Sequence, residues 1–507
     1  MPRQIPFIIG NEACERFSFY GMRNILTKFL PVSAILAYLP KPEREGMASE
    51  VFHTFVMGVY FFPLLGGWLA DRWFGKYNTI LWFSLIYCAG QGCLAVFADN
   101  REGFYVGLSL IALGSGGIKP LVASFVGDQF DQRTKHLAKR VYDAFYWSIN
   151  FGSFFASLLM PIFLNRFGPQ VAFGIPGVLM FVATIVFWVG RGRYVRIPPA
   201  PPNPDSFLRV SLTALASTGS GLMVGIVAVA LTLGSFGLVL WLDPVLVICI
   251  ALVTLLTVGG IGVAIHLERA RGVHPDAAVD GVRAVLRILI VFALVTPFWS
   301  LFDQKASLWV FQGNHMIQPE WFESSQMQVV NPGLVMILLP FTSLVLFPWL
   351  ERRRGRPISP LAKMTAGIAL AGAAFLVAGV FQLLLDGGTE LWIFWQIIPY
   401  ALLTTGEILV SATGLEFAYS QAPPAMKGVI MSFWNLAVTV GNLWILLANA
   451  TVRNEVVTGQ IARTGLSERA FLILFFALFA FAAALAFRAY ARRYPLVDNY
   501  LHSSRSA

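Results

Sequence analysis

The sequence of 507 residues has few charged side chains, since Asp, Glu, Lys and Arg make up only 13% of it. A soluble domain needs a polar surface, and this composition cannot supply one over so long a chain. Apolar residues make up 57% and form continuous runs that are long enough to cross a bilayer as helices. These runs do not alternate with polar residues, which argues against a membrane-spanning barrel. The chain is therefore expected to be an all-α polytopic membrane protein.

Cysteine and histidine are also scarce, with four and six residues. The cysteines, Cys14, Cys88, Cys93 and Cys249, lie in apolar stretches and predict no disulfide framework. None has a His or Cys beside it at the spacing of metal ligands, so neither a metal nor another cofactor is expected. The sequence also contains no phosphate-binding loop, no selectivity-filter sequence and no evident nucleophile–base pair, so an ATPase, an ion channel and an enzyme are all disfavoured.

The net charge of +10 comes from Lys and Arg that are concentrated in alternate loops. Examples are the loops at 72–76, 191–196, 269–283 and 352–363. Basic residues mark cytoplasmic loops of membrane proteins, and this explains the charge better than a nucleic-acid partner does. The loop bias places both termini in the cytoplasm.

Fourteen membrane helices are predicted. Their expected spans are 8–38, 51–71, 77–98, 103–127, 138–162, 169–190, 208–235, 243–266, 281–315, 332–351, 360–384, 390–420, 426–450 and 466–490. A Pro-rich connector, "IPPAPPNPD", follows the sixth helix. The expected domains are a six-helix bundle (1–196), the connector with two inserted helices (197–270) and a second six-helix bundle (271–507). Two such bundles suggest a site between them at the middle of the membrane.

Ionisable side chains inside the predicted helices indicate a polar cavity. Each costs at least ~2.5–3.5 kcal/mol at the centre of a bilayer unless it faces a cavity or a partner. The first helix carries four of them in "NEACERFSFYGMR" (11–23): Glu12, Glu15, Arg16 and Arg23. Their spacings of three, four and seven residues place them on one stripe of a helix. A charge cluster that only snorkels to the interface would explain Glu12 but explains Arg23 poorly.

Other polar residues of the predicted helices leave two interpretations open. Lys119, in the glycine-rich stretch "GSGGIKP", either serves the cavity or forms a structural pair with the first helix. His53 either titrates near physiological pH or packs as a satisfied histidine. Glu407 lines the cavity or forms a structural salt bridge. Asp71 and Arg72, at a cytoplasmic helix end, form a gate latch or cap the helix.

Four stretches together resemble the proton-dependent oligopeptide transporter family of the major facilitator superfamily. The first helix is similar to the family motif E-x-x-E-R-F-x-Y-Y-G. The stretches "GSGGIKPLVASFVGDQF" (114–130), "FYWSINFGSF" (145–154) and "FWSLFDQ" (298–304) are similar to further family signatures. The resemblance covers the whole chain, including the two extra helices of bacterial members.

The resemblance implies roles for particular residues. Peptide binding is implied for Arg16 and Lys119 at the carboxylate, for Glu407, Asn150 and Asn331 at the amino terminus, and for Tyr20, Tyr60, Trp299 and Trp434 in the side-chain pockets. Proton coupling is implied for Glu12, Glu15, His53 and Asp303. An extracellular gate is implied for the pair of Arg23 and Asp303.

Two residues depart from the family pattern. Phe19 replaces the first Tyr of the motif and removes a hydroxyl from the cavity. Phe302 stands where some bacterial members carry a carboxylate, which leaves Asp303 to carry more of the gating alone.

The sequence therefore predicts a proton-coupled symporter that imports di- and tripeptides across a bacterial inner membrane and functions as a monomer. Protons serve as the coupling ion. A nitrate or other small-anion transporter of the same fold is the alternative, but it would not need Glu407 or two glutamates in the first helix. An integral membrane enzyme or a receptor fits less well, because buried acids and bases occur in both halves.

The topology can be tested with single cysteines in a variant whose native cysteines are replaced. Arg353→Cys lies in a basic loop and Trp321→Cys in a loop with little basic charge. A membrane-impermeant maleimide should therefore label the two from opposite sides of the membrane. Labelling of both from the same side would overturn the predicted orientation.

Overall fold

The computed structural model describes residues 3–130, 137–199, 203–241, 244–421 and 426–496. In chain order its α-helices are Ile5–Phe29, Lys41–Phe61, Pro63–Leu69, Gly75–Val96, Arg101–Gly127, Ala138–Val189, Phe207–Ala216, Gly219–Ser235, Pro244–His266, Asp276–Gln304, Leu308–Gly313, Val330–Phe341, Phe347–Arg354, Pro360–Asp386, Ile397–Glu407, Thr413–Gln421, Lys427–Val452, Glu455–Arg463 and Glu468–Ala491. We number them α1 to α19 in that order. No β-strand occurs in the described part of the chain, so the expected all-α class is confirmed.

Eleven helical stretches of the described residues are long and apolar enough to cross a membrane. Two of them, 41–96 and 144–192, contain a glycine with positive φ: Gly75 (72°) and Gly168 (82°). This conformation interrupts a right-handed helix, so each stretch holds two helices. Helix α1 is also long enough to cross a membrane, but it carries too many charged residues to be counted among these eleven stretches. Together these elements are compatible with the fourteen predicted membrane helices, but the number itself stays a prediction.

The structure corrects three of the predicted spans. The first helix ends at Phe29 rather than 38, and short 3₁₀ turns follow it. The second begins at Lys41 rather than 51, because a charged segment extends it beyond the apolar run. The predicted helix 208–235 is two helices, since Thr218 caps a new one by accepting a hydrogen bond from the Gly221 amide at 3.0 Å.

Buried apolar side chains form two large clusters, one mainly within residues 5–194 and the other within 210–487. A third, small cluster joins α2, α9 and α17 through Met57, Cys249 and Leu443. The inserted helix α9 thus contacts both bundles. By contrast, only 6% of the most apolar part of the other inserted span, Gly219–Leu240, is buried. The domain bounds 1–196, 197–270 and 271–507 stay predictions, and residues 200–202 of the connector lie outside the described ranges.

Polar contacts between the bundles are concentrated at one end of the molecule. Three ion pairs between the bundles mark this end: Lys28 with Glu323 (2.6 Å), Glu45 with Arg469 (2.6 Å) and Glu50 with Arg453 (2.5 Å). We call this the sealed end. Partly exposed ion pairs of this kind each contribute little to stability. The contact between the two bundles at this end therefore depends mainly on groups that are buried more deeply.

Helices α3 and α5 approach each other closely at Gly66 and Gly116. A Cβ atom added to Gly66 would lie 2.2 Å from the carbonyl oxygen of Gly116, which is backbone and cannot rotate away. The glycine-rich stretch therefore brings these helices together, as expected from its sequence. Lys119, one turn further along α5, lies against the rings of Phe19 on α1 and Tyr60 on α2.

Gly66→Ala should destabilise the protein by about 1–3 kcal/mol, because a methyl group forces α3 away from α5. The adjacent Gly67→Ala is the matched control, since a Cβ there meets nothing within 4 Å. Thermal unfolding of both purified variants in detergent checks the difference. Equal melting temperatures would show that the close approach does not constrain these helices.

Candidate functional site

The charged stripe of α1 is partly neutralised within the helix. The Arg16 Nε lies 2.6 Å from Glu12 Oε1 and 3.2 Å from Glu15 Oε2. Both carboxylates are fully buried, while 12% of the Arg16 side chain is exposed. The spacing of four residues allows the shorter contact within one helical turn. Arg16 is thus the member of this group that an incoming anion can reach.

Lys119 interacts with aromatic rings rather than with a carboxylate. Its Nζ lies 3.6 Å from the ring centroid of Phe19 and 4.4 Å from that of Tyr60. Among the described residues it forms no ion pair, so the structural salt bridge with α1 that the sequence left open is absent there. The ring faces attract the ammonium group without neutralising it. Phe19, the departure from the family motif, supplies one of these faces.

In the second bundle, Asn331 connects Glu407 with a lysine. Its Nδ2 donates to Glu407 Oε2 at 2.6 Å and to Thr404 Oγ1 at 3.0 Å. Lys305 Nζ donates to Asn331 Oδ1 at 2.8 Å and lies 3.3 Å from the ring centroid of Phe302. Because Asn331 lies between them, the lysine stabilises the glutamate without occupying its second oxygen.

The remaining residues expected near the peptide are placed as follows. Asn150 donates to the carbonyl of Tyr146 in its own helix, at 3.0 Å, and forms no hydrogen bond with Glu407. Trp299 and Trp434 pack edge to face with ring centroids 5.9 Å apart. The structure therefore brings the two tryptophans together but not Asn150 and Glu407.

A buried chain of hydrogen bonds crosses between the bundles next to the sealed end. Arg23 Nη2 lies 2.5 Å from Asp303 Oδ1, as the resemblance implies. Asn442 Nδ2 donates to Asp303 Oδ2 at 2.7 Å, and Asn442 Oδ1 lies 2.7 Å from His53 Nδ1. His53 Nε2 lies 2.8 Å from Ser307 Oγ. All five side chains are at most 5% exposed.

The hydrogen bonds of Asn442 determine the tautomer of His53. Because the amide nitrogen of Asn442 donates to Asp303, its oxygen is the atom that faces His53. The Nδ1 of the imidazole must therefore carry a proton and donate it. A second proton on Nε2 would turn Ser307 from a donor into an acceptor and would leave the hydrogen bond to Asn442 unchanged, so protonation of His53 acts on the gate pair through its added charge.

Asp71 and Arg72 lie in a π-helical turn, Ala70–Phe74, and both are exposed. Neither forms an ion pair with a described residue. At the same end, Lys76 forms an ion pair with Asp128 at 2.7 Å, which links α4 to the end of α5. The gate latch of Asp71 and Arg72 stays a prediction.

Exposure separates most of the predicted residues into two groups; the exceptions are Asn150, Trp299 and Trp434, which are implied in binding but are at most 9% exposed. Three residues implied in binding the ends of a peptide, Arg16, Lys119 and Glu407, are half-buried, and so are Tyr20, Tyr60 and Asn331. The residues implied in proton coupling are fully buried: Glu12, Glu15, His53 and Asp303. The first group can meet a ligand, whereas the second can exchange only something as small as a proton.

Sequence reasoning missed Asn442 and Ser307 and gave Lys305 no role. Asn442 is buried in the largely apolar helix α17, where an amide needs a partner. That isolation is the signal that could have drawn attention to it. Its two partners, Asp303 and His53, lie 139 and 389 residues away in the sequence, so spacing cannot identify them.

Solved structures similar to this chain cover nearly all of it. A structure described as an auto inhibited POT family peptide transporter is 63% identical, has a TM-score of 0.96 and is matched over 98% of both chains. The POT family transporter PepTSo is 60% identical with a TM-score of 0.94, over 97% of this chain and 98% of that one. These likenesses confirm the predicted fold class.

Relatives with known names are similar over much of this chain. Solute carrier family 15 member 2 of Mus musculus is 33% identical over 456 residues, which is 86% of this chain and 56% of that protein. Peptide transporter family 1 of Drosophila melanogaster is 34% identical over 76% of this chain and 48% of its own length. The chain thus spans about half the length of these relatives. The family model described as POT family matches residues 77–463, and the chain belongs to that family.

Proposed function

We propose that this protein is a proton-coupled symporter that imports di- and tripeptides by alternating access. The observation that carries the proposal is the placement of half-buried charges of opposite sign in opposite bundles. Arg16 and Lys119 lie in the first bundle and Glu407 lies in the second. A zwitterionic peptide needs a cation at its carboxylate and an anion at its amino terminus, and these residues supply both.

Charges of both bundles act on one side chain of α1. The Tyr20 side chain lies within electrostatic reach of both Arg16 and Glu407. The two tryptophans, which pack edge to face and are 7% and 5% exposed, would supply an apolar wall that tolerates varied side chains. Recognition of the termini is common to all short peptides, whereas such a wall selects weakly among side chains.

Lys305 and Asn331 hold Glu407 ready for an amino group. The glutamate accepts one hydrogen bond on Oε2 from Asn331, and its side chain remains partly accessible. A peptide ammonium group would donate to the free carboxylate oxygen, which is a charge-assisted contact. A small anion such as nitrate has no use for this carboxylate, and this favours the peptide over the anion alternative.

The buried carboxylates of α1 supply the coupling. A deprotonated Glu12 or Glu15 neutralises Arg16, and protonation frees that cation to meet the peptide carboxylate. At a membrane potential of about 150 mV, one proton supplies about 3.5 kcal/mol, enough for about 300-fold accumulation. The energy source therefore suffices without a nucleotide.

Alternating access requires the sealed end to open. The pair of Arg23 and Asp303 must then separate, and a positive charge on His53 would act on Asp303 from the far side of the Asn442 amide. By the loop charges, the sealed end faces the outside of a bacterial inner membrane and both termini face the cytoplasm. The site is formed within one chain, which is consistent with a functional monomer.

The proposal is tested by uptake of labelled dialanine into proteoliposomes under an imposed pH gradient, with labelled nitrate as the comparison. Accumulation of dialanine that collapses with a protonophore supports the proposal. Uptake of nitrate but not dialanine would replace it with the anion carrier.

Glu407→Gln should weaken binding of free dialanine by about 10- to 100-fold, because one charge-assisted hydrogen bond to the amino terminus is lost. N-acetyl-dialanine should bind the wild type weakly and the variant equally weakly. Glu416→Gln is the matched control, since Glu416 is exposed on the same span. Unchanged affinity after both the mutation and the acetylation would remove Glu407 from the amine site.

Glu15→Gln should abolish proton-driven accumulation and retain peptide exchange down its gradient. A fixed neutral side chain removes the proton switch but keeps the cavity. Arg16→Ala should lose both activities, because it also removes a binding charge. Proton-driven uptake and counterflow are measured in the same liposomes. Continued accumulation by Glu15→Gln would mean that this carboxylate is not required for coupling.

A further inference from the structure

Polar side chains are buried between α1, α4 and the part of α6 that follows Gly168. Asn11, Glu15 and Ser18 are spaced by four and three residues and share one face of α1. Ser18 Oγ donates to the carbonyl oxygen of Pro176 at 2.7 Å. It accepts from Gln91 Nε2 at 3.4 Å. This face of α1 therefore points into the first bundle, towards α4 and α6.

Tyr87 lies on α4 one turn before Gln91, and its hydroxyl is close to Gln91 and Ser18, without a well-aligned hydrogen bond to either, and within electrostatic reach of Glu15. Asn11, Glu15, Tyr87 and Gln91 are all 0% exposed. Glu15 lies three residues before Ser18 and Tyr87 lies four residues before Gln91, so the hydrogen bond of Ser18 with Gln91 brings these four residues near one another. These residues form one cluster, which we call the inner polar cluster.

Several atoms of the inner polar cluster have no hydrogen-bond partner among the described residues. They are both polar atoms of the Asn11 side chain, both carboxylate oxygens of Glu15, the Tyr87 hydroxyl and the Gln91 Oε1. The ion pair of Glu15 with Arg16, at 3.2 Å, involves charge attraction without a hydrogen bond. Folded proteins satisfy nearly all such atoms, with protein groups or with ordered water. A buried site with several polar groups is the kind that holds water.

We propose that the inner polar cluster binds ordered water that exchanges protons with Glu15. Water donates to the Glu15 carboxylate and to Gln91 Oε1, and the Tyr87 hydroxyl and Asn11 Nδ2 donate to water. A proton that arrives as H₃O⁺ passes to a carboxylate oxygen of Glu15 and leaves neutral water behind. The inference rests on the proposed coupling role of Glu15 and adds the ligand and the direction from which the proton comes.

This arrangement gives α1 two separate tasks. Glu15 can change its protonation state from inside the first bundle, while Arg16 faces the space proposed for the peptide carboxylate. Charged and titratable groups that face Glu15 come from three helices: Glu12, Arg16 and Tyr20 on α1, Tyr87 on α4 and Lys119 on α5. A bound peptide therefore need not block the exchange of the proton that drives its transport.

The first test is a structure of the full chain in lipid at a resolution that shows ordered water. We expect at least one water within hydrogen-bond distance of both Glu15 and Tyr87. A dry network, with Tyr87, Gln91 and Asn11 bonded directly to one another, would overturn the proposal.

The second test separates the proton role from packing with Tyr87→Phe, which removes one hydroxyl. Tyr194→Phe is the matched control, because Tyr194 also carries a buried hydroxyl without a described partner, but it packs against Phe125 and Phe187. We expect Tyr87→Phe to lower proton-driven accumulation of dialanine at least tenfold with counterflow retained. Tyr194→Phe should change neither activity.

Gln91→Met serves as a second variant in case Tyr87→Phe does not fold, and the same split between accumulation and counterflow is expected. Accumulation at the wild-type level in the folded variants would overturn the proton role, even where water is seen. Failure of the wild type to accumulate dialanine would instead reject the proposed function. The two failures are therefore distinguishable in one set of liposomes.

Discussion

The buried ion pair of Arg23 and Asp303 is the interaction on which the closed seam between the bundles depends. Each charge lies in a region that water reaches poorly, so removing one partner would leave the other unpaired at a cost of about 3–5 kcal/mol. Asn442 satisfies the second oxygen of Asp303 and ties it to His53. Opening the seam separates Arg23 and His53 from Asp303, Asn442 and Ser307, so five groups need new partners at once, which makes the pair a natural point of control.

The cost of leaving a buried charge unpaired also explains how the other polar groups of the interior are arranged. Glu12 and Glu15 share one guanidinium group, and Glu407 is held by an amide that also binds a lysine. Lys119 has aromatic rings in place of a carboxylate, so its charge remains available to a ligand. Close helix contacts at glycines, such as that of Gly66 with Gly116, pack the helices that carry these groups, and charges buried between packed helices interact more strongly than charges in water.

Much of the fold and part of the site could be predicted from the sequence. The apolar runs predicted an all-α membrane protein, and the spacing in "NEACERFSFYGMR" predicted the contact of Arg16 with Glu12, because a helix brings residues four apart together. The break at Thr218 was missed although the small polar stretch "STGSG" (217–221) marks it, because the residues on both sides are apolar. The partner of Lys119 was missed, since an aromatic ring leaves no charge pattern in the sequence.

By itself the sequence determined the class of fold, the charged helix and the presence of acids and bases in both halves, because composition and helical spacing are local properties. Only the tertiary structure decided which of these groups meet. Packing placed Asn442 between His53 and Asp303, and it turned one face of α1 towards Tyr87 and Gln91 and the other towards the opposite bundle. These contacts join residues that are distant in sequence, and they follow from how helices pack.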